Sequence, residues 1–203
     1  MDRDGLEALT MRALGSELGV DPMAVYHHLP NKAAVLDGVA DAVMREVPLD
    51  VSAGEPWQEQ LAGFARGYRT TLRAHPNALP VVATRPDTSN AALAVIDAAL
   101  GILLRAGAGA SEAARVFHAA SCFVMGHALD EFGFLGARTD DLSVDDVEAA
   151  FRATLEDGNF PNLLEVISAS EDVSPDDTFE TGLACLIAGF DARLSSGRVS
   201  TQG

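Results

Sequence analysis

Apolar residues recur three and four positions apart along nearly the whole chain, and no stretch alternates apolar and polar residues as a half-buried strand does. The first such stretch is short. Leu14 and Leu18 give one apolar face to a helix over 11–18, and Thr10 stands where its hydroxyl can accept an unpaired first-turn N–H. Gly19 falls where a helix ends in a left-handed residue, and Val20 is expected to tuck into the angle between this helix and the next. Asp21-Pro22 is a start signal, an acceptor at the cap followed by a ring that needs no N–H. Val25 and Leu29 then face inward, Pro30 stops the helix and Asn31 caps a third. Two short helices on a tight glycine turn, with a third behind them, form the layout of a helix-turn-helix. Met23, Ala24, Tyr26, His27 and His28 are left facing outward. Such small, aromatic and imidazole groups suit a major groove about 12 Å wide.

Pro48 to Pro56, bounded by prolines and holding Ser and Gly, reads as a linker. It separates a head over residues 1–47 from a body over 56–203. Trp57 opens a helix with Leu61, Phe64, Tyr68 and Leu72 on one stripe, and His75-Pro76 ends it. A short element with Val81 and Val82 follows, then a helix over 90–106 carrying Leu93, Ile96, Leu100 and Leu103. The longest helix is predicted over 111–134. Leu135 to Asp146 reads as an acidic polar segment, Val147 to Leu155 as a helix, and Phe160-Pro161 as the corner that introduces another. Ser170 to Asp177 reads as acidic loop, and the chain closes on an amphipathic helix over 179–194 with Leu183, Leu186, Ile187, Phe190 and Leu194 on one face. The fold class is therefore all-α.

Leu9 to Asp37, LTMRALGSELGVDPMAVYHHLPNKAAVLD, resembles the signature of the tetracycline-repressor (TetR) family of bacterial transcriptional regulators. The match runs without gaps through Leu9, Thr10, Arg12, Leu14, Leu18, Gly19, Val20, Tyr26, His28, Lys32, Leu36 and Asp37. The body is also similar, in Pro56-Trp57, His75-Pro76, Thr84-Arg85-Pro86 and the Phe179, Gly182-Leu183, Ile187, Gly189 pattern. The resemblance implies that Tyr26 and Lys32 contact DNA phosphates, while Arg12, Ala24, His27 and His28 face the groove or its edges. It implies a homodimer built from the helices at 111–134 and 179–194, where Gly126, Ala128, Gly182, Ala184, Ala188 and Gly189 are small enough for close approach. The same residues can instead line the subunit's own core. Family members carry a whole helix before the glycine matching Gly5, and only Met1 to Asp4 precede it here. The first helix is thus expected to be truncated, with Leu14, Leu18, Leu36 and Val39 incompletely buried.

Charge complicates the DNA reading. The net charge is −16, and the head carries four Arg or Lys against eight Asp or Glu, so affinity for phosphates must come from local placement. Cys122 and Cys185 lie far apart in apolar helical contexts, there is no signal peptide, and no apolar run is long enough to span a bilayer. These features lead to the expectation of a cytoplasmic protein, not bound to a membrane, with reduced thiols that act as buried apolar fillers.

Inward faces of several helices converge on Phe64, Tyr68, Val82, Leu100, Phe117, His118, Ser121, Cys122 and Met125. A cavity there would suit a hydrophobic or aromatic small-molecule effector, oriented by Tyr68, His118 and Ser121. The tetracycline-binding members place a metal-binding histidine shortly before the Thr-Arg-Pro segment. Here the corresponding residue is valine, Val81 or Val82, so a different ligand is expected. No metal site and no cofactor are expected. Adjacent His27 and His28 point about 100° apart and cannot chelate one ion. His127 with Asp130 lacks further ligands, and Asp145-Asp146 and Asp176-Asp177 fall in segments read as solvated loop. No phosphate loop, nucleophile elbow or paired catalytic carboxylate appears, so the chain is not expected to be an enzyme. The reading is a ligand-responsive repressor, released from a palindromic operator by its effector. The alternative is a ligand- or protein-binding module of TetR shape without effective DNA binding.

Overall fold

The structure is a computed structural model, described here over residues 9–50, 54–86, 88–133, 144–169 and 173–199. Ten α-helices are present among these residues, with no strand: α1 Met11–Leu18, α2 Pro22–His28, α3 Lys32–Arg45, α4 Trp57–Ala74, α5 Leu79–Thr84, α6 Asn90–Arg105, α7 Ala110–Glu131, α8 Val144–Asp157, α9 Pro161–Ala169 and α10 Pro175–Val199. A short 3-10 turn, Pro76–Ala78, joins α4 to α5.

The head forms from the punctuation of its sequence. Thr10 Oγ1 accepts the Ala13 N–H at 3.0 Å, Asp21 Oδ1 the Met23 N–H at 2.7 Å, and Asn31 Oδ1 the Ala34 N–H at 2.9 Å. Each bond satisfies a first-turn donor that has no partner within its helix. Gly19 closes α1 at φ 67°, with Val20 N–H reaching Gly15 O at 2.9 Å and Gly19 N–H reaching Ser16 O at 3.3 Å. This is the Schellman pattern, and it turns the chain sharply into α2. Val20 does not tuck into the angle as expected. It is exposed, as are Leu18 and Met23, because the closure is made by backbone hydrogen bonds and the buried residue of α1 is Gly15. Leu14, Leu36 and Val39 are half-buried.

The core is continuous across the predicted linker. Val43, Met44 and Val47 from the end of the head are buried in the same cluster as Leu61, Phe64 and Leu72 of α4, Ile102 and Leu103 of α6, Val116 and Val124 of α7, and Phe179 of α10. Thr71 Oγ1 donates to Glu46 O at 3.3 Å, and the His75 ring lies 2.9 Å from the Glu46 carboxylate, pinning the end of α3 to α4. Of the linker itself, residues 51–53 lie outside the described residues.

Several boundaries differ from expectation, and α10, which runs on to Val199, is longer than α7. Helix α7 stops at Glu131, with Phe132 and Gly133 in a turn, and α8 begins at Val144, earlier than the predicted Val147; Leu135 to Ser143 lies outside the described residues. Helix α10 begins at Pro175, so Pro175 to Asp177 is helix and not loop, while 170–172 are outside the described residues. Ser174 explains the early start. Its Oγ donates to Asp177 Oδ2 at 2.6 Å and accepts the Asp177 N–H at 3.1 Å, while the Ser174 N–H donates to the same carboxylate at 3.3 Å. Serine before proline, with an acid three positions on, is a capping box.

Candidate DNA-facing helix and ligand cavity

The outer edge of the head is built by α2. Val25 is buried against α1 and Leu29 is half-buried, so the remaining positions face solvent: Ala24, Tyr26, His27 and His28 are exposed, together with Arg12 of α1 and Lys32 of α3. Among the described residues, no hydrogen bond or ion pair occupies the Arg12, Tyr26, His27, His28 or Lys32 side chains. The acids of the head are disposed differently. Asp21 is a helix cap, Asp41 pairs with Arg45 at 2.5 Å, Asp37 lies 3.4 Å from Arg85 of the body, and Glu46 holds His75. The negative charge counted along the sequence is thus partly drawn towards the body, while Arg12 and Lys32 remain available outward.

Below the head, α3, α4, α5, α6 and α7 line a half-open cavity of about 470 Å³. Of the residues expected to line it, Phe64, Tyr68, Val82, Phe117, His118, Ser121, Cys122 and Met125 do so. Leu100 does not. It sits one helical turn, about 6 Å, beyond Ile96 along α6 and packs against the core. The sequence reading missed Ile96 and Val95 on the same helix, Leu129 and Gly126 on α7, and two residues of another kind, Met44 and Arg85. Met44 belongs to α3, so the head itself forms part of the cavity wall. Arg85 was legible within Thr84-Arg85-Pro86, but spacing alone gives no signal that the side chain of a helix-ending residue turns inward. His118 Nε2 and Cys122 Sγ, one turn apart on α7, lie 3.7 Å from each other. Both cysteines are exposed and free, contrary to the expected buried fillers: Cys122 lines the cavity, and Cys185 lies on the exposed face of α10.

At the far side of α4, Asp176, expected in a solvated acidic loop, joins a charged cluster while remaining 66% exposed. Arg69, 7% exposed, lies 3.1 Å from Glu131 of α7 and 2.7 Å from Asp176 of α10, with its guanidinium 4.5 Å from the Phe179 ring centroid. Arg73 joins the same two acids at 3.2 and 2.8 Å. Hydrogen bonding to Arg69 holds the Asp176 carboxyl below its ordinary range. His127 and Asp130 lie in different surroundings. His127 packs between Phe123 and Phe179, at centroid distances of 6.1 and 5.2 Å, with Nδ1 3.8 Å from Glu131, whereas Asp130 is exposed. No group of three or more His, Cys, Asp or Glu suited to a metal occurs among the described residues. The side chains of Asp145 and Asp146 lie outside those described. No helix among the described residues is long and apolar enough to cross a membrane.

The small residues of the two expected dimer helices divide. Ala128 is fully buried in the subunit's own core, and a Cβ on Gly182 would come within 2.6 Å of the Phe123 ring, so these two serve packing of α7 on α10. Ala184, Ala188 and Gly189 are exposed on α10, on the same side as Thr181, Cys185 and Ala192.

Comparison with known proteins agrees with this architecture. Residues 1–39 match the family of bacterial regulatory proteins of the tetR type, and residues 52–194 match the tetracyclin repressor-like C-terminal domain. The chain is 34% identical to the tetracycline repressor protein class A from transposon 1721 of Escherichia coli, covering 93% of this chain and 84% of that protein. Among solved structures it is similar to apo ActR from Streptomyces coelicolor, with 27% identity, a TM-score of 0.79 and coverage of 97% of this chain and 91% of that one. A structure of ActR in complex with actinorhodin gives a TM-score of 0.78 at 27% identity, covering 95% and 91%. With both parts of the chain matched in order, and the helix-turn-helix and helical body both present, this protein belongs to the TetR family of bacterial transcriptional regulators.

Proposed function

We propose that this protein is a dimeric repressor that binds a palindromic operator through α2 of each subunit and is released by a small apolar or aromatic molecule entering the cavity between α4 and α7. The observation that carries the reading is the shared wall: Met44, on the helix that begins at Lys32, is also a lining residue of the cavity. A ligand there touches the head directly. Its effect depends on binding the DNA-competent and incompetent arrangements with different affinity, since equal affinity for both would shift nothing. Solved structures of ActR with small molecules, and the repressor names of curated relatives, support a ligand-responsive regulator. Valine at 81 and 82, where the tetracycline-binding members are expected to place a metal-binding histidine, favours an effector other than a tetracycline–metal complex.

In this reading Tyr26 and Lys32 position the head on phosphates, and His27 and Ala24 meet base edges, with Arg12 and His28 at the groove's margins. The exposed small face of α10, with Ala184, Ala188 and Gly189, joins two subunits so that their heads lie about 34–36 Å apart, one turn of the duplex. Fluorescence anisotropy with DNA flanking the protein's own gene tests these roles. Lys32→Ala weakens binding to all sequences alike and lowers the salt slope by about one, whereas His27→Ala alters sequence preference by about 1–3 kcal/mol at one position. Identical behaviour of the two variants contradicts the assignment.

A further inference from the structure

Arg85 stands between the cavity and the head. It follows the last turn of α5, and with Met44 and Val82 it lines both the cavity and a narrow crevice that opens onto α3 beside Asp37. Its Nη2 donates to the Ala33 carbonyl at 3.2 Å, and its Nε lies 3.4 Å from Asp37 Oδ1. Both partners are in the first two turns of α3, next to Lys32. A guanidinium has five N–H donors. One meets Ala33 and one faces Asp37 at a long distance, and the others have no partner among the described residues.

Among the described residues, no other lining residue carries a permanent charge, and no carboxylate faces the cavity. An occupant that filled it would take water from Arg85. A neutral occupant leaves the guanidinium desolvated and poorly paired, which is costly; an acidic group placed against it restores the lost hydration with charge-assisted, bidentate hydrogen bonds. The pairing it must displace is weak, because Asp37 is 58% exposed and its contact is long.

We infer that the effector is an aromatic or apolar acid whose anionic group takes Arg85 from Asp37 and Ala33, loosening the start of α3. This rests on the cavity being the effector site, as proposed above. By reciprocity, whatever weakens the grip of Asp37 on Arg85 strengthens the grip of Arg85 on the acid.

A matched pair of fluorescent probes, anthracene-2-carboxylate and anthracene-2-carboxamide, tests this by titration into the full chain near neutral pH. The acid should bind about tenfold more tightly than the amide, as one charge-assisted pairing implies. Arg85→Gln should bring the two affinities together, and Asp37→Asn, an exposed substitution that leaves the core untouched, should tighten the acid about threefold while leaving the amide unchanged. Equal affinities in the wild type, or an acid preference that survives Arg85→Gln, overturns recognition by Arg85 while leaving the cavity reading intact. An unchanged acid affinity in Asp37→Asn overturns the exchange with the head. Failure of both probes to bind removes the cavity as an aromatic site, and with it the proposal for the effector.

Discussion

Residue by residue, the sequence is most legible where one side chain answers one backbone need. Thr10, Asp21 and Asn31 were readable as caps because an acceptor just before a helical run has a single local task, and each makes the bond expected. Val20 and Leu100 were not readable. Val20 is left outside by a turn closed through backbone hydrogen bonds, and Leu100 packs on the core and not on the cavity, outcomes that no local pattern records. Arg69 is the sharper case. Its position on α4 looks like an ordinary solvated arginine, yet it is buried against Glu131, Asp176 and Phe179 drawn from two distant helices. Removing one member of a buried pair leaves the other charge without adequate compensation. Arg69→Met is therefore expected to destabilise the fold by about 3 kcal/mol in urea unfolding, more than Arg66→Met at the exposed Arg66–Glu180 pair. Equal losses would show that burial of the cluster contributes nothing.

Among the elements, hydrophobic period gave the helices of the body, since a stripe at three- and four-residue spacing needs no knowledge of its partner. The ends were harder. Ser174 and Asp177 carry a readable capping box, but the surrounding acids resemble a solvated loop unless their arginine partners are known. Helix α10 is in fact held to its neighbours by such pairs: Arg66 with Glu180, Arg69 and Arg73 with Asp176, and Arg193 with Glu112 of α7. Hydrogen bonds from Arg193 and Arg115 lower the Glu112 pKa from 4.5 to about 2, and Asp176 and Glu180 are shifted in the same direction by their arginines. A lowered carboxylate pKa stabilises the fold fully above its unfolded value and loses that contribution as pH falls towards the folded value. The contribution of Glu112 is therefore complete above about pH 4.5 and fades on the way to about 2. Thermal melts followed by circular dichroism should find Glu112→Gln less stable than wild type at pH 7, with the gap narrowing as pH drops below about 4.5. A gap that stays constant across that range would mean these pairs add nothing pH-dependent.

For the molecule as a whole, Pro48 and Pro56 suggest a division into head and body but give no sign of the packing that joins their two sides. Val43, Met44 and Val47 lie on the head side of the prolines and are buried in the body's core. Under the proposed function, that continuity is the route by which a ligand in the cavity would act on α2 by way of α3. The acidic net charge, which weighed against DNA from composition alone, is compatible with a groove-facing edge because Asp37, Asp41 and Glu46 are paired while Arg12 and Lys32 have no pairing among the described residues. Assembly should rest on the exposed small face of α10. Ala188→Glu, which alters a surface position of the single chain, is expected to convert a dimer into monomers in light scattering coupled to size exclusion, with little change in helix content. A wild-type chain that is already monomeric would contradict the arrangement.

The central claim is that α2 meets the major groove twice, once from each of two symmetric subunits. A nuclease footprint of the full chain on DNA flanking its own gene, at low salt, tests this most directly. The account predicts two protected half-sites related by a two-fold axis, with centres about 10–10.5 base pairs apart or a multiple of that, and loss of both in Lys32→Ala at higher salt. No protection at low salt, or a single patch without symmetry, would contradict it.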